Sequence, residues 1–206
     1  MIEIFILSIV QGITEFLPIS SSSHLILISN QYNFNNQELS IDVSLHIGSF
    51  IAVISYFHKD ILNFFKNKVI FLKILISSLP VMTVGYFLVE TNIIEKIRNI
   101  EIIAWTTTLF AILLYISDKF ELRKNIKDNF DYKSIIFIGL FQILSLIPGV
   151  SRSGIAITAA RFLKFKRVDA AKISFLLSIP ILGAVSIFGL KNLLLSDDLN
   201  FQRKLS

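Results

Sequence analysis

The sequence predicts an all-α integral membrane protein: an inverted-repeat bundle with two re-entrant helix–loop–helix hairpins and about four full spans. Three observations point there. The 206-residue chain is 53% hydrophobic and 17% charged, with a mean hydropathy of +0.68, whereas soluble domains carry roughly 25% charge. Four apolar stretches are long enough to cross a bilayer. The basic residues gather in three short regions, which orients every segment between them. Residues 1–206 read as a single membrane domain.

Residues 1–29 are too short for two spans, and Pro18 with the serines Ser20 to Ser23 breaks them in the middle. The opening Met1-Ile-Glu-Ile-Phe-Ile-Leu has no basic region and no small-residue cleavage site, so it is not expected to be a signal peptide. Three spans are expected within 41–117, at about 41–57, 69–89 and 101–117, and a fourth at 172–190. At ~1.5 Å per residue each reaches roughly 25–30 Å. Pro80 and Pro180 lie inside two of them. Membrane helices tolerate such kinks where neighbouring groups satisfy the freed carbonyls.

Loop 58–68 with Lys73, loop 118–133 and loop 161–172 hold four, five and five of the 20 basic residues. All three are expected in the cytoplasm. Loop 30–40 has no basic residue, and in loop 90–100 Lys96 and Arg98 are offset by Glu90 and Glu95, so both read as outside. Because loops 118–133 and 161–172 share a side, residues 134–160 must enter and return. They form a re-entrant hairpin broken at Pro148-Gly149. Residues 1–29 form another, opening to the outside. Hairpins entering from opposite faces define an inverted repeat with a site near the midplane. The net charge of +5 is explained by this orientation, and no nucleic-acid partner is expected. With no cysteine, disulfides, thiolate metal sites and cysteine nucleophiles are excluded.

The two hairpin loops resemble each other. One reads Gln11-Gly-Ile-Thr-Glu15-Phe-Leu-Pro18-Ile-Ser-Ser-Ser-Ser-His24, the other Gln142-Ile-Leu-Ser-Leu-Ile-Pro148-Gly-Val-Ser-Arg152-Ser-Gly154. Aligned at the prolines, Ser21 matches Ser151 and Ser23 matches Ser153, while Gln11 is one residue out of register. Ionisable groups at membrane depth are functional candidates by default. A helix starting after each serine run points free N–H groups at the loop, which suits an anion. Ser20, Ser21, Ser22, Ser23, Ser151 and Ser153 add hydroxyls, Gly149 and Gly154 permit close approach, and Arg152 offers a planar fork for phosphate oxygens.

The same set fits phosphoryl transfer. His24 is a candidate base or nucleophile, Ser21 a candidate activated hydroxyl, and Glu15 a candidate cation ligand or base, with Gln11 one helical turn before it. Plainer roles stand beside these. Glu15 could be a helix-end carboxylate, His24 a helix-start residue bonded to a serine, Arg152 a clamp on loop carbonyls, and any one serine a helix cap. His46 is read as a span-end residue rather than a site residue, and His58 as interfacial. Inverted repeats also serve transporters, so a transporter or lipid-carrier flippase without hydrolysis is the alternative.

The two loops resemble the signatures of the bacterial undecaprenyl-diphosphate phosphatases, also called bacitracin-resistance proteins. One signature is Glu/Gln-Gly-x-Thr-Glu-Phe-Leu-Pro-x-Ser-Ser followed by a histidine, here Gln11 to His24. The other is Pro-Gly-x-Ser-Arg-Ser-Gly, here Pro148 to Gly154. Ser174-Phe175-Leu-Leu-Ser-Ile-Pro180 resembles the family segment after the second loop. The resemblance implies removal of the terminal phosphate of a C55 polyprenyl diphosphate. The product is the monophosphate carrier for peptidoglycan synthesis, and bacitracin resistance follows. It implies dependence on a divalent cation, Mg²⁺ or Ca²⁺, held at Glu15. It implies a multi-pass protein of the bacterial inner membrane with its site towards the periplasm, and a homodimer is compatible with it. Glu15, Ser21, His24 and Arg152 occupy the catalytic motif positions. Gln11, Ser20, Ser22, Ser151, Arg152, Ser153 and Gly154 are the expected phosphate contacts. We expect Arg152 as the phosphate clamp, Glu15 on the metal and a Ser21–His24 pair for attack. Some members carry Glu where this chain has Gln11, so no essential charge is expected there. Members are usually longer, with two more spans, so a short form, a truncated frame or a fragment is expected.

Overall fold

The computed structural model describes residues 2–32, 34, 39–56, 58–91 and 93–195. Loop 30–40 therefore lies partly, and the tail 196–206 wholly, outside the described residues. The described chain is helical, with no strand among the described residues and one isolated backbone bridge, Lys124 to Phe165.

The first hairpin is α1 (Ile2–Thr14) and α2 (Ser21–Gln31). Next come α3 (Leu39–Tyr56), α4 (His58–Lys66), α5 (Lys68–Glu90), α6 (Ile93–Ile97) and α7 (Ile100–Asp118). After α8 (Ile126–Asn129), the second broken segment is α9 (Tyr132–Ile143), a 3-10 turn (Leu144–Leu146) and α10 (Arg152–Phe162). Helix α11 (Arg167–Leu195) is the last element among the described residues.

Three helices are long and apolar enough to cross a membrane: Lys68–Glu90, Ile100–Asp118 and Arg167–Leu190. Four spans were expected. The element expected at 41–57 is α3, an 18-residue helix with the apolar stretch Ile41–Tyr56; Ile2–Thr14 and Tyr132–Leu146 are shorter apolar helices. The outer surface carries Trp105, Tyr86, Phe87 and Ile187, each more than half exposed. An apolar surface of this kind suits a lipid environment.

Capping side chains start the helices. Ser20 caps α2 by accepting from Ser23 N, and Ser151 caps α10 by accepting from Gly154 N. Asn67, Asn99 and Asp131 do the same for α5, α7 and α9. The core lies between α5, α9, α10 and α11, around Ile74, Ile135, Ala159, Phe165 and Ile173. Close helix approach depends on small residues. A Cβ on Gly139 of α9 would lie 2.6 Å from the Ser77 carbonyl of α5, and Ser77 Oγ donates to Ile135 O at 2.9 Å.

Arg161, 1% exposed, joins the ends of α7 and α10. Its guanidinium donates to Phe165 O (2.6 Å), Phe120 O (2.7 Å) and Asp118 O (2.8 Å), and pairs with the Asp118 carboxylate at 3.3 Å. Asp118 also pairs with Arg167 at 2.7 Å. Read as one of many orientation charges in the sequence, Arg161 is a buried fastener. It holds the far end of the helix whose first residue is Arg152.

Candidate active site

The polar loops meet around one carboxylate. Glu15 follows α1, and its backbone N–H still reaches Gln11 O at 3.0 Å, so the two side chains stack one turn apart. Gln11 Nε2 donates to Glu15 Oε2 at 2.8 Å. The chain turns at Pro18, and Ser21 opens α2 with its hydroxyl donating to the same Oε2 at 2.6 Å. From the second loop, Arg152 at the start of α10 donates through Nη2 to Glu15 Oε1. From α3, His46 Nε2 lies 3.4 Å from Oε2. Glu15, Gln11 and Ser21 are all buried. A buried carboxylate needs such partners, because an uncompensated one is costly.

Further bonds hold the loops together. Ser153 Oγ donates to Leu17 O at 2.5 Å, Ser174 Oγ to Ser153 O at 3.2 Å, and Ser151 and Ser153 share a bond of 3.1 Å. A Cβ on Gly154 would stand 3.3 Å from Pro18 O. Gly149 adopts φ +94°, and a Cβ there would fall 1.9 Å from Thr106 Oγ1. That hydroxyl donates to Pro148 O at 2.6 Å, while Thr107 Oγ1 donates to Gly149 O at 3.2 Å. Helix α7 thus carries the second loop on two adjacent threonines.

Among the expected residues, Gln11, Glu15, Ser21 and Arg152 form one bonded group. Ser153 joins Glu15 and Arg152 in lining a small cavity of about 60 Å³ that Ser174 and Ser178 also face. Ser20 and Ser22 instead line a larger cavity of about 690 Å³. Ser151 and Gly154 are engaged in the α10 cap. His24 hydrogen-bonds to none of Glu15, Ser21 or Arg152. Its Nδ1 bonds to Ser20 O at 2.7 Å, and since a carbonyl only accepts, Nδ1 carries the proton, while Nε2 has no partner among the described residues. Ser21 is therefore hydrogen-bonded to Glu15 rather than paired with His24.

Sequence reading passed over His46, Thr106, Thr107 and the part-buried Asp42–Arg98 ion pair at the start of α3. Asp42 and His46, four residues apart in an otherwise apolar helix, were the available signal, since such groups are expensive in a span.

Among the described residues no three His, Cys, Asp or Glu side chains cluster to hold a metal ion. Both Glu15 oxygens accept from protein donors, and Gln11 Oε1 is buried without a hydrogen-bond partner. This set fits a cation carried by a phosphate ligand, since Mg²⁺ is commonly held by one or two carboxylates plus phosphates. It does not fit an all-protein cage.

These features define a class: a helical membrane protein whose polar site joins two separate loops through a carboxylate, a hydroxyl and an arginine. The chain belongs to the bacitracin resistance protein BacA family, whose model matches residues 4–205. Relatives named undecaprenyl-diphosphatase are similar over most of the chain. The one from Pelagibacter ubique (strain HTCC1062) is 50% identical over 192 residues, 93% of this chain and 75% of that protein. Those from Jannaschia sp. (strain CCS1) and Hahella chejuensis (strain KCTC 2396) are 41% and 40% identical, over 90% and 95% of this chain and 74% and 77% of those proteins.

Proposed function

We propose that this protein hydrolyses undecaprenyl diphosphate to undecaprenyl phosphate and inorganic phosphate. That recycles the lipid carrier for peptidoglycan synthesis and confers bacitracin resistance. The observation that carries the reading is the joining of Ser21 and Arg152, from different loops, on the Glu15 carboxylate. Family membership and the relatives' names support hydrolysis over transport alone.

The residues suggest a sequence of steps. Arg152 binds the terminal phosphate, using guanidinium donors beyond the one on Glu15. Ser21 Oγ attacks the terminal phosphorus while its proton passes to Glu15 Oε2. The bond to the bridging oxygen breaks, and the lipid phosphate departs with the electron pair and that proton. Water then attacks the phosphoserine and gives a proton to the freed carboxylate; the bond from phosphorus to Ser21 Oγ breaks, Oγ takes that proton back, and phosphate leaves. His24, whose Nε2 has no partner among the described residues, is the second candidate for carrying this proton. The N-termini of α2 and α10 and the Ser153 hydroxyl favour the added negative charge. Glu15 and Gln11 Oε1 are the groups that would hold a divalent cation carried by the diphosphate, and it would offset phosphate charge.

The larger cavity suits the lipid. Ser20, Ser22 and His46 line it together with Ile26, Val81 and Phe188, and the lining is predominantly apolar. It has room for the first isoprene units, and the rest of the chain stays in the bilayer.

The re-entrant, inverted-repeat arrangement belongs to this proposal too. Helices α1, α2, α9 and α10 have 13, 11, 12 and 11 residues. At ~1.5 Å per residue each falls well short of the ~30 Å core, which supports hairpins that enter and return. The site then opens to the periplasmic side of the inner membrane. The cysteine-free chain allows a clean test, because single cysteines at Asn35 and Asn125 should label from opposite sides. Same-side labelling removes the hairpins.

The assay for function is phosphate release from undecaprenyl diphosphate in detergent, with and without Mg²⁺ or Ca²⁺. Release by the wild type and none by Arg152→Ala is expected. No release by the wild type sinks the reading.

A further inference from the structure

We propose that loops 118–125 and 163–167 together form a binding surface for the phosphate headgroups of anionic bilayer lipids. The ligand is a lipid of the surrounding membrane rather than the substrate, so the inference is independent of the phosphatase reading.

The two loops are joined backbone to backbone. Arg123 N and Lys124 N both donate to Lys164 O at 3.0 Å, and Lys166 N donates to Lys124 O at 3.0 Å. Lys164 holds φ +70°, a left-handed conformation that is unfavourable for any residue with a Cβ. Such a conformation persists only where its surroundings impose it. Beneath the loops, Arg161 fixes them through the Asp118, Phe120 and Phe165 carbonyls. Phe165 is fully buried, while Lys166 is exposed and Lys124 and Lys164 partly so. The arrangement of these lysines therefore belongs to the folded protein. Charges that only orient a chain during insertion must be present in number, but they need no fixed arrangement.

Place and charge select the ligand. Asp118 ends α7 and Arg167 opens α11, and both helices are long and apolar enough to cross a membrane. The joined loops thus sit where two spans leave the hydrocarbon. Phe120, Leu122 and Val168 are exposed among the basic residues, and apolar side chains interleaved with cations suit a bilayer interface. Segments 118–133 and 161–172 hold ten basic residues against five acidic ones, a surplus equal to the net charge of +5 of the whole chain. Neighbouring acids are already engaged: Asp118 by Arg161 and Arg167, Glu121 by Arg123, and Asp131 by Ser134. Among the described residues no carboxylate forms an ion pair with Lys124, Lys164 or Lys166. Basic side chains at a membrane surface attract anionic headgroups, and here three lysines are gathered on a preformed surface.

The test uses the full chain in detergent. It is titrated with dioleoylphosphatidylglycerol or, as the zwitterionic control, dioleoylphosphatidylcholine, and bound lipid is counted by native mass spectrometry. The wild type should bind the anionic lipid about tenfold more tightly or better. Lys124→Gln/Lys164→Gln/Lys166→Gln should bring the ratio to within about threefold of unity. Lys59→Gln/Lys66→Gln/Lys68→Gln removes the same charge from exposed lysines of another basic loop. It should keep the preference within about twofold of wild type. Equal binding of the two lipids by the wild type, or an equal loss in both triple variants, overturns the proposal. A second readout needs no variant. Dioleoylphosphatidylglycerol should raise the Tm of the wild type, and the rise should shrink when ionic strength goes from about 0.1 M to about 0.5 M. No rise, or a rise that ignores salt, overturns the proposal as well. Neither readout uses turnover, so a failed phosphatase assay would leave the lipid surface standing.

Discussion

Arg152 and Glu15 stand 137 residues apart in the chain, yet the half-buried guanidinium pairs with the buried carboxylate. The pair makes one site out of two loops. A guanidinium that holds the carboxylate also has donors left for phosphate, which a lysine lacks in that fixed geometry. Arg152→Ala should reduce phosphate release by about 100-fold or more. Arg152→Lys should recover only a small part of it. Both are measured as kcat/KM on undecaprenyl diphosphate.

Ser21 is the hydroxyl the carboxylate holds, at 2.6 Å. Removing it costs the fold one hydrogen bond, about 1 kcal/mol, but removes the oxygen proposed to attack the phosphate. Ser21→Ala should keep a near-wild-type melting temperature and lose about 100-fold or more in turnover. Acid quenching of the wild type with a terminal-phosphate label should trap label on the Ser21 peptide. Label on His24 instead would reassign the nucleophile.

Gly149 is where backbone geometry and packing coincide. At φ +94°, with Thr106 Oγ1 1.9 Å from where a Cβ would sit, Gly149→Ala is both strained and crowded. It should destabilise by about 1–3 kcal/mol and displace the loop that carries Arg152, lowering turnover as well. Thr106→Val removes only the bond to Pro148 O. It should cost about 1 kcal/mol with a smaller loss of rate. Thermal unfolding in detergent beside the phosphate assay separates the two.

Arg161 predicts the opposite split. Its guanidinium satisfies three backbone carbonyls and touches no part of the site. Arg161→Leu should lower stability by about 3 kcal/mol or more, because it strands buried acceptors. At temperatures where the variant remains folded, KM should stay close to wild type.

Chelation tests the cation. Donors already fill both Glu15 oxygens, so EDTA should leave the melting temperature of substrate-free protein unchanged while reducing phosphate release. Mg²⁺ or Ca²⁺ should restore it. A large loss of stability on chelation would instead mean a resident metal.

The sequence by itself determined the class and the chemical cast. Long apolar runs, few charges and basic loops require a bilayer, because unpaired charge and unsatisfied backbone are too costly there. Gln11, Glu15, Ser21 and Arg152 could be named from their cost and their motifs alone. Neighbourhood was not legible, because it depends on helices that meet across long sequence separations. Only the tertiary structure paired Ser21 with Glu15 instead of His24, brought His46 of α3 onto the same carboxylate, and set Thr106 under Pro148. It also turned Arg161 from a charge in a basic loop into a buried fastener. A helix's own periodicity records which face is apolar. It does not record which neighbour that face meets, and here the site is made of such meetings.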